Sequence, residues 1–294
     1  MRTILLTGAT GQVGWELRRT LASLGQVIAP GRDVLDLSKP GSLSAVVRQL
    51  RPGLIVNPAA HTAVDRAESE PELARAINSE SVFVLAHEAA RLGISLVHFS
   101  TDYVFDGAKS GTYLETDRPD PLGVYGRTKL EGEQAVQASG ASHLIFRTSW
   151  VYGLRGRNFL LTMQRLARER EMLSVVDDQF GAPTWSRAIA EGVAQALALW
   201  LSPGASEEDR HRLSGIYHMS CQGQTSWHGF ARSILGQMKT TGGRLAELKA
   251  IKTVEYPTPA RRPLNSVLSN DRLNKTFGVC LPHWEEALDL CLSV

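Results

Sequence analysis

Cysteine is scarce in this chain. Cys221, Cys280 and Cys291 are the only three in 294 residues, and no two form a C-x-x-C pair. An odd thiol count without a recurring spacing rules out a disulfide framework and fits a reducing compartment. Lysine is nearly as sparse, with seven residues against 25 arginines. Neither sign of charge is in excess. The 32 basic and 30 acidic residues leave a formal net charge of +2, which provides no electrostatic footprint for nucleic acid or an anionic membrane. Long apolar runs are missing too. Gly8 and Gly11 interrupt the amino-terminal stretch well short of a signal-peptide core, and the most apolar segment elsewhere, Val193 to Leu201, is too short to span a bilayer. These absences predict a soluble, cytoplasmic protein with no nucleic-acid or membrane partner. The chain also has no H-E-x-x-H, no clustered Cys/His and no G-x-S-x-G elbow, which argues against a metallohydrolase or serine hydrolase.

A hydrophobic fraction of 43% in a chain of this length is enough to bury one large core or two smaller ones. Short apolar runs at Thr3–Thr7, Gln26–Ala29, Gly53–Asn57, Ile94–Phe99 and His143–Thr148 read as buried strands. Between them, Gln12–Leu24, Ser42–Leu50, Glu70–Leu92 and Val124–Ala138 have helical spacing. Strands and helices in alternation predict an α/β fold, a Rossmann-type doubly wound parallel sheet with right-handed crossovers. After about residue 150 the rhythm loosens. Helices are expected at Phe159–Arg170, Ser186–Leu201 and near Thr225–Met238, and strands at Leu173–Val176 and Gly215–Met219. The polar segment from Ser202 to Arg210 reads as an exposed loop. The expected division is a nucleotide-binding domain over residues 1–152 plus roughly 184–219, and a smaller α/β substrate-binding domain over roughly 153–183 and 220–294.

Thr7-Gly8-Ala9-Thr10-Gly11-Gln12-Val13-Gly14 directly follows the first strand and opens a helix. Gly8, Gly11 and Gly14 suit a tight turn that lets a pyrophosphate approach backbone N–H groups at the positive end of the helix. The end of the second strand reads Pro30-Gly31-Arg32-Asp33. Arg32 suits a 2′-phosphate and Asp33 a 2′-hydroxyl, so NADPH and NADH both remain open, with a lean to NADPH.

Tyr125-Gly126-Arg127-Thr128-Lys129 is the chemical centre of the reading, because a tyrosine and a lysine four apart share one helix face. Both groups normally titrate near pH 10, and a nearby ammonium and an oxidised nicotinamide each favour phenolate. In a reduction Tyr125 would donate its proton to the substrate oxygen, and Lys129 would hold the coenzyme ribose. Ser100-Thr101-Asp102-Tyr103 ends the fourth strand, where Thr101 can donate to the substrate carbonyl or to the Tyr125 oxygen. Asn57-Pro58-Ala59-Ala60-His61 ends the third strand and is expected to line the coenzyme.

The glycine turn, A-A-H-T-A-V-D (59–65), S-T-D-Y-V-F (100–105), Y-G-x-T-K (125–129), F-R-T-S-W-V-Y (146–152), D-Q-F-G-A-P-T (178–184) and Y-P-T-P-A-R-R-P (256–263) together resemble the dTDP-4-dehydrorhamnose reductases, a family of the extended short-chain dehydrogenase/reductases. The resemblance implies reduction of the C4 ketone of dTDP-6-deoxy-L-lyxo-4-hexulose to dTDP-L-rhamnose, a precursor of surface polysaccharide such as lipopolysaccharide O-antigen. It also implies that Thr101, Asp102, Tyr125 and Trp150 contact the sugar, with Tyr103 in the same segment. Gly11, Gln12, Val13, Asp36, Leu37, Ala59, Ala60, His61 and Lys129 would contact the coenzyme. Phe180 suits stacking on a base, and Arg261 and Arg262 suit a diphosphate. Some relatives form a homodimer bridged by Mg²⁺. Glu16 is retained for that role, but Trp185-Ser186-Arg187 stands where those relatives carry glutamate. Two rivals remain: a nucleotide-sugar epimerase or dehydratase, disfavoured because Asp102 has no neighbouring Glu, and a non-catalytic dinucleotide-binding regulatory subunit, disfavoured by the intact Tyr125 and Lys129.

Overall fold

Strand β1 (Thr3–Leu6) is apolar throughout because both of its faces are covered. In chain order it is followed by α1 (Gln12–Thr20), β2 (Gln26–Ile28), α2 (Pro40–Leu50), β3 (Leu54–Asn57), α3 (Val64–Ser69), α4 (Pro71–Arg75), α5 (Ser81–Leu92), β4 (Ser95–Thr101), α6 (Val124–Ala138) and β5 (His143–Thr148). Then come β6 (Val151–Tyr152), α7 (Phe159–Glu169), β7 (Met172–Val176), β8 (Phe180–Gly181), β9 (Thr184–Trp185), α8 (Ser186–Trp200) and α9 (Glu207–Arg212). The chain closes with β10 (Gly215–His218), β11 (Thr225–Ser226), α10 (Trp227–Lys239), β12 (Glu247–Ile251), α11 (Asp271–Phe277) and α12 (Trp284–Leu292). The structure, a computed structural model, describes residues 2–202, 204–239 and 245–293. Pro203, within the expected polar loop, lies outside the described residues.

Six strands form one parallel sheet in the order β2-β1-β3-β4-β5-β10. Alternate residues feed two separate cores. Ile4, Leu6, Val56, Val97, Phe99 and Phe146 pack with Leu17 and Leu21 near α1 and Val193 of α8, whereas Leu5, Ile55, Leu96 and Ile145 pack with α2, α5 and α6. The chain crosses from one face to the other after β2, so the strand order reverses between β1 and β3. The carboxyl ends of the strands at that reversal are where such folds form a ligand crevice. The parallel pair β7–β12 and helices α7, α10 and α12 build the smaller part beside it. No helix of the described residues is long and apolar enough to cross a membrane.

Two local expectations are corrected. Residues 70–92 are not one helix. Proline at 71 lacks an N–H and opens α4, and Ala76–Glu80 then forms a π-helical turn before α5 begins. The polar segment after α8 is not all loop. Ser206 and Asp209 form a reciprocal capping box that starts α9.

Arg147 on β5 and Glu133 on α6 are almost wholly buried and pair through two hydrogen bonds of 2.8 and 2.6 Å. The pair pins α6 to the sheet beneath the Tyr125–Lys129 face. Removing one partner leaves an uncompensated buried charge, which costs far more than the intact pair contributes. Glu133→Ala is therefore expected to lose about 3–5 kcal/mol of stability in urea unfolding, and the double variant Glu133→Leu/Arg147→Met is expected to lose less.

Candidate active site

The glycine turn fits a dinucleotide. Gly8 has φ +56°, and a Cβ there would lie 2.8 Å from the Ala59 backbone, so the β1 and β3 loops touch across the crevice. A Cβ on Gly14 would collide with the Gly8 carbonyl, which is why the first turn of α1 can sit against the loop. Gln12, which opens α1, accepts from Asn158 Nδ2 at 2.8 Å and so joins the turn to the cap of α7. Val13 packs against the core below.

Past β2, Asp36 accepts from the Ser38 N–H at 3.0 Å and the Ser38 hydroxyl at 2.8 Å, which lowers its pKa. Leu37 is buried beside it, whereas Arg32 and Asp33 are exposed, with the Asp33 carboxylate lying over Gly31. Ala59, Ala60 and His61 line the loop after β3. That loop is held from behind by Asn78, which accepts from the His61 N–H at 2.8 Å and donates to the His61 carbonyl at 3.1 Å and to Thr128 at 3.1 Å. Asn78 reaches all three because the π turn rotates it inward, where it is fully buried.

Tyr125 and Lys129 lie on the face of helix α6 that packs toward the end of β4. Gly126 lets the helix approach the Tyr103 backbone and Pro121, and Glu68 of α3 accepts from the Val124 N–H at 2.8 Å. Tyr125 is buried and meets Tyr103 edge to face. Burial pushes its phenol up to about 12, with Asp102 raising it and Thr101 lowering it. The tyrosine is therefore protonated at neutral pH, as a proton donor must be. The Lys129 ammonium donates to the Phe99 carbonyl at 2.5 Å, and burial pulls its pKa down to about 8 against the favourable charge of Glu133.

Asp102 is directed inward. Its two oxygens accept from Thr101 Oγ1 and Ser149 Oγ, each at 2.9 Å, and among the described residues no cation pairs with it. Burial raises it to about 6. Trp150 has a left-handed backbone with φ +46° and lies flat between two surfaces. Trp227 of α10 stacks on its ring at a centroid distance of 3.5 Å, and Gly181 lies against it so closely that a Cβ would be 2.5 Å away. The stacked face is therefore closed to a ligand. Phe180 is exposed on β8, beside β11.

Arg261 and Arg262 differ. Arg261 is exposed, whereas Arg262 donates to both Asp65 oxygens at 3.1 and 2.7 Å and to the Ala260 carbonyl, clamping the carboxyl-terminal loop onto α3. Glu16 does not offer a free ligand. Its carboxylate accepts from Arg187 Nε at 3.2 Å and sits 3.7 Å from Arg19, and the described residues contain no cluster of three His, Cys, Asp or Glu able to hold a metal ion. These residues do not fit a magnesium site.

Sequence reasoning missed Asn78, Ser149, His98, Trp227 and the Asp65 clamp. Only the W-V-Y and A-V-D motifs hinted at two of them, since each acts through a partner distant in sequence.

The chain matches the family described as RmlD substrate binding domain over residues 1–294. It is 51% identical to a dTDP-4-dehydrorhamnose reductase of Burkholderia thailandensis, covering 98% of this chain and 97% of that protein. Among solved structures, a dTDP-4-dehydrorhamnose reductase from Clostridium acetobutylicum superposes with a TM-score of 0.89 at 35% identity, covering 99% and 98% of the two chains. A Bacillus anthracis dTDP-4-dehydrorhamnose reductase in complex with NADP superposes with a TM-score of 0.88 at 33% identity, covering 99% of each.

The buried acid generates a pH-dependent test. In the folded protein Asp102 holds its proton up to about pH 6, whereas an unfolded aspartate releases it near 3.8. The folded state thus gains below pH 4 and loses stability as pH rises through 6. Asp102→Asn cannot ionise. It is expected to unfold at higher urea than the parent at pH 7.5, by up to about 3 kcal/mol, and at the same urea at pH 4.

Proposed function

The chain belongs to the dTDP-4-dehydrorhamnose reductase family, and from that premise we infer that it reduces the C4 ketone of dTDP-6-deoxy-L-lyxo-4-hexulose to dTDP-L-rhamnose with NAD(P)H. The single observation that carries the assignment of roles is a buried, protonated Tyr125 one helical turn from a buried ammonium, at the strand ends beside a dinucleotide turn.

Gly8 and Gly14 give the coenzyme diphosphate room to approach the start of α1, where Gln12 and Val13 offer backbone N–H groups, while the Gly11 N–H closes the turn on the Gly8 carbonyl at 2.9 Å. Asp36, Leu37, Ala59, Ala60 and His61 line the adenosine side. When bound, the reduced nicotinamide supplies the hydride for the carbonyl carbon. Tyr125 donates its phenolic proton to the carbonyl oxygen as charge develops there. Lys129 steadies the resulting phenolate and the coenzyme ribose. Thr101 borders the carbonyl beside Tyr125, with its own hydroxyl proton given to Asp102. The Trp150 edge and Tyr103 border the sugar, Phe180 offers a face to the thymine, and Arg261 carries the free positive charge nearest the diphosphate end. Arg262 supports that end by fastening the loop.

NADPH is the proposed preferred coenzyme. Arg32 is exposed where a 2′-phosphate would lie, and the Asp33 carboxylate is folded over Gly31 rather than extended. Neither rival reading has a specific observation in its favour.

Tyr125→Phe is expected to cut kcat by roughly 10²-fold or more while coenzyme binding, followed by quenching of tryptophan fluorescence, is retained. An unchanged kcat would remove Tyr125 from the chemistry. Arg32→Ala is expected to raise KM for NADPH at least about tenfold and leave KM for NADH within about twofold. Equal effects on the two would show that Arg32 does not read the 2′-phosphate.

A further inference from the structure

A buried ammonium persists only if its N–H bonds find acceptors. One Lys129 N–H meets the Phe99 carbonyl. Another direction leads to His98 Nε2, 3.3 Å away on the fully buried strand β4. The other ring nitrogen of His98, Nδ1, is 3.2 Å from Asn57 Nδ2 on β3. Asn57 Oδ1 in turn accepts from the Thr7 hydroxyl at 2.6 Å, just past the end of β1. Four side chains from three strands and α6 thus form one buried polar thread from the glycine turn to Lys129.

A neutral imidazole has one bare nitrogen and one N–H. The ammonium of Lys129 has no lone pair, so Nε2 must be bare when it faces the charged lysine, and the ring proton must sit on Nδ1. That N–H needs an acceptor, which the Asn57 amide oxygen supplies when the amide nitrogen turns toward Thr7. Against a neutral lysine the pattern reverses: Thr7 donates to Asn57, Asn57 donates to Nδ1, and Nε2–H faces the lysine lone pair. The two amide orientations share the same heavy-atom positions. Burial, with the Lys129 charge beside it, holds the imidazole pKa well below the ordinary value, so the ring itself stays neutral.

We propose that His98 is a positioning residue for the reaction: its bare Nε2, with the Nδ1–H taken up by a turned Asn57 amide, accepts from Lys129 and keeps it cationic and in place for the coenzyme. This rests on the reading of Tyr125 and Lys129 as the reacting pair. The other groups around the lysine leave it this role. Glu133 on α6 favours the ammonium, but its carboxylate is shared with Arg147 of β5. Tyr125 lies one turn earlier and is neutral, and Asp102, beyond the end of β4, acts on Tyr125.

Long-range ¹H–¹⁵N NMR of protein labelled at histidine nitrogens tests this without turnover, with His98→Gln supplying the assignment. The expected result is a bare Nε2 at pH 6.5 that gives way to Nε2–H as pH rises past about 8. Nε2–H at pH 6.5 would overturn the proposal. In steady-state assays of kcat/KM, His98→Leu should move the alkaline limb about one pH unit lower, costing about fivefold at pH 8 and under about twofold at pH 6.5. His98→Gln, whose amide oxygen can accept, should restore most of the loss. An unmoved limb in a folded His98→Leu would also overturn it, and if that variant does not fold, the NMR result decides. Absence of any turnover by the parent protein would defeat the reductase reading instead, and the tautomer measurement would still stand on its own.

Discussion

The structure is organised around one cation that has been taken out of water. Lys129 is almost fully buried, and its charge is tolerated only because a strand carbonyl, a neutral histidine and a shared glutamate surround it. Two of those neighbours come from β4 and the third from α6, where Arg147 of β5 holds it, so the lysine is stable only when β4, β5 and α6 are assembled in register. The Glu133–Arg147 pair fixes the helix to the sheet, and the fixed helix aligns Tyr125 with the end of β4. The positive charge in a dry pocket then acts at full strength on whatever charge develops beside it.

The same dryness sets the character of the neighbouring groups. Tyr125 keeps its proton, which suits reduction, where the phenol gives a proton away, better than oxidation, where it must first lose one. Asp102 is a carboxylate with hydroxyl partners and no cation, a costly arrangement that natural folds retain where chemistry uses it. Trp150 is strained in backbone and pinned between Trp227 and Gly181, so the wall of the crevice is preset rather than moulded by a ligand.

The doubly wound sheet was legible because buried parallel strands read as unbroken apolar runs, and the family because several of its motifs are contiguous. The Tyr125–Lys129 spacing survives translation into structure since both residues lie on one regular helix. What escaped was set by distance and by irregularity. The π turn that buries Asn78 has no periodic signal, so α4, the π turn and α5 read as one helix from residue 70. Arg262 reads as a free anion-binding side chain until Asp65, almost two hundred residues away, is seen to occupy it. His98 is a single histidine in an apolar strand, and nothing local distinguishes it from a packed core residue. The capping box at Ser206 was present as a motif, but it was masked by a composition typical of loops.

Isotope transfer tests the central claim most directly. The protein is supplied with dTDP-6-deoxy-L-lyxo-4-hexulose and NADPH carrying deuterium at the transferable position of the nicotinamide, and the sugar product is examined by NMR. The account predicts one deuterium at C4 of dTDP-L-rhamnose for each coenzyme oxidised. Sugar returned without consumption of coenzyme, or with solvent hydrogen exchanged at a carbon next to the ketone and none delivered to C4, would contradict it.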